Sequence, residues 1–245
     1  MRNWASDYKN KVSFYDGLLG EDAPNYKVAM KRASQLAREG YDLFRGQVTP
    51  RPLEPSIRRN SIDQRRALRD LSEFAAWVHT RSELAALHGD MDAILAVAQH
   101  YGLPTALLDF STDPRVAGFF SCPSSKEEAA LAYRPSCIAC IKSSSLRESW
   151  AALNGIARIE DRDPDFRLVK VPARGFKRIA AQSGVFLWTS FQSDALESWT
   201  DIWRVYFPPT RLRSSRPFAR LFPTRLSHEE RLVCEFIASL RNRGH

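Results

Sequence analysis

Between residues 98 and 112 the chain changes its periodicity, and that change limits the folds open to it. Apolar residues recur at three- and four-residue spacing up to Tyr101; after Gly102-Leu103-Pro104 comes the nearly continuous apolar run Thr105-Ala-Leu-Leu-Asp-Phe110. The first pattern is one face of a helix and the second a short buried strand, and neither Gly nor Pro between them can extend the helix. The same division holds on the larger scale. Helical spacing dominates before this point and strand-like runs dominate after it, so the expected fold class is α+β, a single domain with a mixed or antiparallel split sheet, not a regular β-α alternation.

Element by element, a helix is expected from Pro24 to Glu39, with Gly40 ending it, then a strand from Tyr41 to Val48. Prolines at 50, 52 and 55 force an extended loop carrying Arg51, Arg58 and Arg59. Ser61 is placed to cap a helix running to about Leu87, Asp90 starts another, and Asp113-Pro114 a third. Strands are expected at Ser136 to Ile141, Arg167 to Val171, Gly184 to Trp188 and Ile202 to Phe207. A closing helix is expected from Ser227 to about Leu240.

The 245 residues include 36 Lys+Arg and 28 Asp+Glu, a net charge of +8, and 44% of them are hydrophobic. That is enough apolar material for a substantial core, which excludes a disordered chain. Of the cations 28 are Arg and 8 Lys, a bias toward planar groups that hold phosphates and carboxylates in fixed geometry. The excess concentrates in two stretches. Arg51 to Arg69 holds six Arg against Glu54 and Asp63, and Arg204 to Arg225 holds six Arg and no acid, with Phe207, Phe218 and Phe222 interleaved. Either stretch suits a nucleic-acid backbone, with a solvated charged surface as the plain alternative. No apolar run approaches the length of a membrane span and the N-terminal residues lack the apolar core of a signal peptide, so a cytoplasmic protein without membrane contact is expected. Cys137 and Cys140 form a C-x-x-C inside an apolar strand with no second pair to complete a metal site; buried structural thiols are expected, and no metal.

Three segments stand together: Phe44-Arg45-Gly46-Gln47; Ala98-Gln-His-Tyr-Gly-Leu-Pro-Thr-Ala-Leu-Leu-Asp-Phe-Ser-Thr112, followed by Pro114 and Phe119-Phe120; and Arg178-Ile-Ala-Ala-Gln-Ser-Gly-Val-Phe186. They resemble the FRG domain family, and Leu221 to Leu226 is similar to the Leu-Phe-Pro stretch near that family's end. The resemblance divides the chain into a helical extension, residues 1–40, and an FRG-like domain, residues 41–245. The chain departs from the family at Ala106, where an Arg commonly follows Pro-Thr; Arg115 is the candidate for a relocated contact. The family is itself similar to the ADP-ribosyltransferases, and that distant relation implies an ADP-ribosyltransferase-like core with NAD as substrate.

On that resemblance Arg45 binds a pyrophosphate, with Gly46 leaving the approach open; a structural salt bridge is the alternative. His100, Tyr101, Thr105, Ser111 and Thr112 are candidate NAD contacts. Each has a structural alternative: a helix-end imidazole for His100, core packing for Tyr101, a turn hydrogen bond for Thr105 and helix capping for Ser111 or Thr112. Gln182 stands where such enzymes carry a glutamate that stabilises an oxocarbenium-like state. A neutral amide bonds ribose without neutralising charge, so catalysis is expected either to be slower or to draw a carboxylate from elsewhere, with Asp109, Glu197 and Glu235 as candidates. The resemblance implies an ADP-ribosyltransferase acting on protein or nucleic acid, as a bacterial toxin or anti-phage effector with an antitoxin as partner. An NAD glycohydrolase and a non-catalytic nucleotide- or RNA-binding module are the alternatives.

Overall fold

The computed structural model describes residues 12–15, 17–59, 61–125, 134–157, 166–172, 175–189, 196–198, 200–212, 221 and 225–243. In chain order the elements are β1 (Val12–Tyr15), β2 (Leu18–Asp22), α1 (Tyr26–Arg38), β3 (Leu43–Gln47), α2 (Gln64–His79), α3 (Met91–His100), β4 (Leu108–Ser111) and α4 (Pro114–Phe120). They continue with β5 (Ser136–Ile141), α5 (Ser143–Ala157), β6 (Phe166–Val169), α6 (Lys177–Ala181), β7 (Gly184–Thr189), β8 (Trp203–Phe207) and α7 (His228–Asn242). Helices with a mixed sheet make the class α+β, as expected. The chain divides into two compact units, one of Met1–Leu53, Phe110–Asp163 and Asp194–Phe218, the other of Glu54–Asp109, Pro164–Ser193 and Ala219–His245.

In the first unit the strands run in the order β1-β2-β8-β5-β3-β4. β2 and β8 are parallel; the other adjacent pairs are antiparallel. One face carries Phe44, Ile138, Cys140, Val205 and Phe207 against Ala29, Ala33 and Leu36 of α1 and Ala117 of α4. Period-two alternation therefore sends Arg45, Gln47, Cys137, Ala139, Arg204 and Tyr206 to the opposite face. The stretch before α1, which the sequence reading assigned to a helical extension, holds two strands, because β2 finds its partner in β8 about 180 residues away. No local pattern announces such a partner. Glu21, 4% exposed on β2, accepts from Arg32 Nε at 2.6 Å and Trp203 Nε1 at 3.0 Å.

The second unit packs α2, α3 and α7 with the β6-β7 hairpin around Phe74, Val78, Leu87, Val97, Phe186 and Val233. α2 departs from expectation. Asp63, not Ser61, caps it, accepting from Arg66 N at 3.1 Å, and the helix stops at His79 instead of reaching Leu87. Thr80 closes it with Oγ1 donating to Trp77 O at 2.7 Å, and His88 Nε2 lies 3.0 Å from the carbonyl oxygen of Val78. Leu84 and Leu87 sit on a separate 3-10 turn that buries into the same core, so their spacing imitates a continued helix. The sequence reading placed no helix at α5 or α6. α5 opens on three serines and contains Asn154-Gly155, residues that read locally as a loop.

Candidate functional site

The Phe44-Arg45-Gly46 tripeptide gives three successive strand residues three different environments. Phe44 is 1% exposed in the apolar face. Gly46 faces the same way, and a Cβ there would overlap Ala117 O and lie 2.5 Å from Ser121 N and 2.8 Å from Phe120 C. Its missing side chain is thus used by the end of α4. Arg45 points to the other face, partly exposed.

On that face the register places Arg45 opposite Ala139 and Ala139 opposite Arg204. The two arginines therefore share one row, separated by a methyl group. Arg204 is 1% exposed and paired with Glu197, and its Nε has no hydrogen-bond partner among the described residues. Glu197 also accepts the Leu53 N–H, at 2.9 and 3.0 Å, and Leu196 N donates to Leu53 O at 3.1 Å. One row along, Gln47 Nε2 donates to Arg51 O at 3.0 Å, and Cys137 Sγ lies 3.5 Å from Gln47 Oε1. Burial pushes the Cys137 thiol up to about 12, and burial also raises that of Cys140. The two belong to opposite faces of β5 and both are free, the structural-thiol arrangement expected.

Ser111 lies opposite Phe44 in the β3-β4 pairing and is 5% exposed. Its Oγ accepts from Asp113 N at 3.0 Å. The cap of α4 is Asp113 itself, accepting from Arg115 N at 2.8 Å, so neither Ser111 nor Thr112 takes that position; Thr112 is exposed. Arg115 closes onto the same carboxylate, Nη2 to Oδ2 at 2.7 Å.

His100, Tyr101, Thr105 and Gln182 belong to the second unit. α3 ends in a Schellman arrangement: Gly102, at φ +100°, donates to Gln99 O at 3.0 Å, and Leu103 N to Ala98 O at 2.9 Å. Thr105, fully buried, follows in a closed local network. Its Oγ1 bonds Gln99 Oε1 and accepts Leu107 N at 3.1 Å. Its backbone N–H donates to Ser56 Oγ at 3.0 Å, and Gln99 Nε2 continues the chain to Asp109 Oδ1 at 3.0 Å.

Tyr101 and His100 flank a buried carboxylate that the sequence reading missed. Glu230 is fully buried and accepts from Tyr101 OH and Arg178 N, both at 2.8 Å, and from Ser227 N at 2.7 Å. Burial works to raise its pKa, but these donors together hold it below the ordinary value. Burial first, then the carboxylate, raises the Tyr101 phenol. The His100 ring stands edge-on to Tyr101 at 5.1 Å, and its buried Nε2 has no hydrogen-bond partner among the described residues. Burial, then Arg178, lowers His100 to about 4 against the opposing Asp109 and Glu230. The lowered pKa disfavours the cationic form at the helix end, and Nε2 makes no bond to a backbone carbonyl. Gln182, 8% exposed, ends α6 and donates from Nε2 to Leu221 O at 3.1 Å.

The FRG domain family model matches residues 41–130. No curated protein and no solved structure matches the chain. The FRG match begins just before β3 and takes in the Ala98 to Thr112 block and α4, so the first two of the three segments that carry the resemblance fall inside it. Arg178 to Phe186 and Leu221 to Leu226 lie outside the matched FRG residues. No helix among the described residues is long and apolar enough to cross a membrane. Within the basic stretches Arg51, Arg59, Arg65 and Arg69 are exposed, whereas Arg204 is buried. Residues 213–220 and 222–224 of the second stretch lie outside the described residues. Two signals could have found the missed groups. Ser227-His-Glu-Glu230 before an apolar run is a capping box, and an Arg inside Trp-Arg-Val-Tyr-Phe demands a buried partner.

Proposed function

We propose that the protein is an NAD-dependent ADP-ribosyltransferase-like enzyme, with Arg45 as its phosphate contact. The observation that carries this reading is the environment of Arg45 within the FRG match. It is held mid-strand and partly exposed on the sheet face away from α4, in one row with Arg204. A guanidinium fixed at its root by a paired strand meets a diphosphate at low entropic cost. In the proposed reaction the bond between nicotinamide and ribose C1′ breaks, nicotinamide leaves with the electron pair, and a nucleophile on protein or nucleic acid bonds C1′ and loses its proton. The biological setting proposed with it is a toxin or anti-phage effector, restrained by an antitoxin.

A second reading, a nucleotide-binding module without transfer, is favoured by one observation. Gln182 is committed to Leu221 O, Glu197 to Arg204 and Leu53, and Glu230 to three donors. Incubation with NAD labelled in its adenylate moiety, together with protein, RNA and DNA acceptors, separates the readings. Labelled macromolecule supports transfer, nicotinamide release alone indicates hydrolysis, and NAD binding with neither leaves the binding module. Arg45→Ala is expected to abolish NAD binding with little change in thermal stability; undiminished binding by the variant removes the role assigned to Arg45.

A further inference from the structure

The loop that follows the FRG strand is held at two points, and between them it carries an exposed cation. Pro50 and Pro52 restrict the backbone on either side of Arg51, and the residue before a proline is confined to extended conformations. Gln47 lies two residues beyond Arg45 on the same sheet face, about 7 Å along the strand, and its side-chain amide bonds the Arg51 carbonyl at 3.0 Å. At the far end Leu53 is gripped on both sides: its N–H donates to the Glu197 carboxylate at 2.9 and 3.0 Å, and its carbonyl accepts Leu196 N at 3.1 Å. Arg204, buried beneath, pairs with Glu197. The anchor carboxylate is therefore neutralised where it stands and adds no uncompensated negative charge beside the loop. Arg51 itself is exposed, and among the described residues its guanidinium has no ion-pair partner.

We infer that Arg51 is a second cation of the Arg45 site, that its ligand chemistry is the diphosphate of a nucleotide, and that Gln47 and the Arg204–Glu197 pair are positioning residues for it. The inference rests on Arg45 being a phosphate contact and adds a partner to it. Two guanidiniums, one rooted in the strand and one in a loop tied to that strand, offer bidentate donors to two neighbouring phosphoryl groups. Pre-ordering of the loop removes the entropic cost of gathering it around the ligand. Arg204 is too deeply buried to be the second contact; it acts through Glu197 on the loop backbone.

The test uses the full chain as wild type, Arg51→Ala, Arg51→Lys and Glu197→Gln. Each is titrated calorimetrically with ADP-ribose and with inorganic pyrophosphate, while amide hydrogen exchange is followed over residues 48–53. Arg51→Ala is expected to weaken both probes at least tenfold, with partial recovery in Arg51→Lys. Glu197→Gln is expected to accelerate exchange at Leu53 and to weaken both probes threefold or more although Arg51 is intact. Should that variant fail to fold, Gln47→Ala releases the Arg51 carbonyl from the other end and is read the same way. Pyrophosphate bound through Arg51 without ADP-ribose binding keeps this subsite and removes the NAD reading. ADP-ribose bound equally by wild type and Arg51→Ala keeps the NAD reading and overturns the subsite, whereas failure of the wild type to bind either probe overturns both.

Discussion

Gly46 on β3 and Ala117 on α4 approach so closely that a Cβ on the glycine would overlap the alanine's carbonyl oxygen. The obstructing atoms are backbone, including Ser121 N and Phe120 C, so no rotamer change relieves the overlap. The third residue of the Phe-Arg-Gly motif is thereby explained by packing, independently of any ligand.

Gly46→Ala is accordingly expected to destabilise the protein by about 3 kcal/mol, the upper part of the usual range for overpacking. Urea denaturation monitored by tryptophan fluorescence measures it, and a loss below about 0.5 kcal/mol would contradict the packing account.

Removal of both members of the Arg204–Glu197 pair should cost less than the two single removals combined. Arg204→Met leaves Glu197 without its cation, and Glu197→Ala leaves a charge that is 1% exposed; each is expected to lose about 3 to 5 kcal/mol, with the double variant losing less than the sum. Additive losses in a double-mutant cycle would show the pair to be uncoupled.

Stability should fall on mild acidification because of His100. Its folded pKa, about 4, lies below the unfolded value, so the unfolded chain takes up a proton first as pH drops. The stability contributed by neutral His100 is full above pH 6.5 and declines down to about pH 4, with a slope approaching 1.4 kcal/mol per pH unit. Denaturation curves across that range should show a shallower slope in His100→Gln than in wild type; equal slopes would contradict the neutral assignment.

Glu230 acts in the same direction at lower pH. Its folded pKa is depressed, so its contribution is present above the unfolded carboxylate value and is lost as pH falls through the folded one. Tyr101→Phe removes one of its donors and is expected to cost about 1.5 to 3 kcal/mol near neutral pH, the range for a hydrogen bond to a charged group. A Tm unchanged by Tyr101→Phe would rule out that bond as a stabilising contact.

Thiol chemistry offers an independent check on the sheet. Cys137 and Cys140 are buried whereas Cys122 and Cys234 are partly exposed, so in the native protein a disulfide reagent such as DTNB should label Cys122 and Cys234 before either of them. Labelling of Cys137 at the rate of an unfolded control would place it at the surface instead.

How much of this was legible beforehand depends on the range of the interaction. The Gly102-Leu-Pro104 break, the helix starts at Asp90 and Ser227 and the strand at Ser136–Ile141 rest on neighbours within a few residues, and were read correctly. Strand β2 was not legible, since its partner β8 lies at the other end of the chain. Nor was the division of the Ser61 to Leu87 periodicity into a helix and a 3-10 turn, since both segments bury on one core.

The sequence by itself determined the α+β class, most element positions and the FRG segments, because hydrophobic period, turn chemistry and motif are local properties. Only the tertiary structure decided which polar residues are engaged and with what. It gave Tyr101 to Glu230, Gln182 to Leu221, Gly46 to α4, and Glu197 to Arg204 and Leu53. Each of those pairings answers the cost of burying an unsatisfied polar group or of closing a gap in the core, and that cost is set by residues far away in the chain.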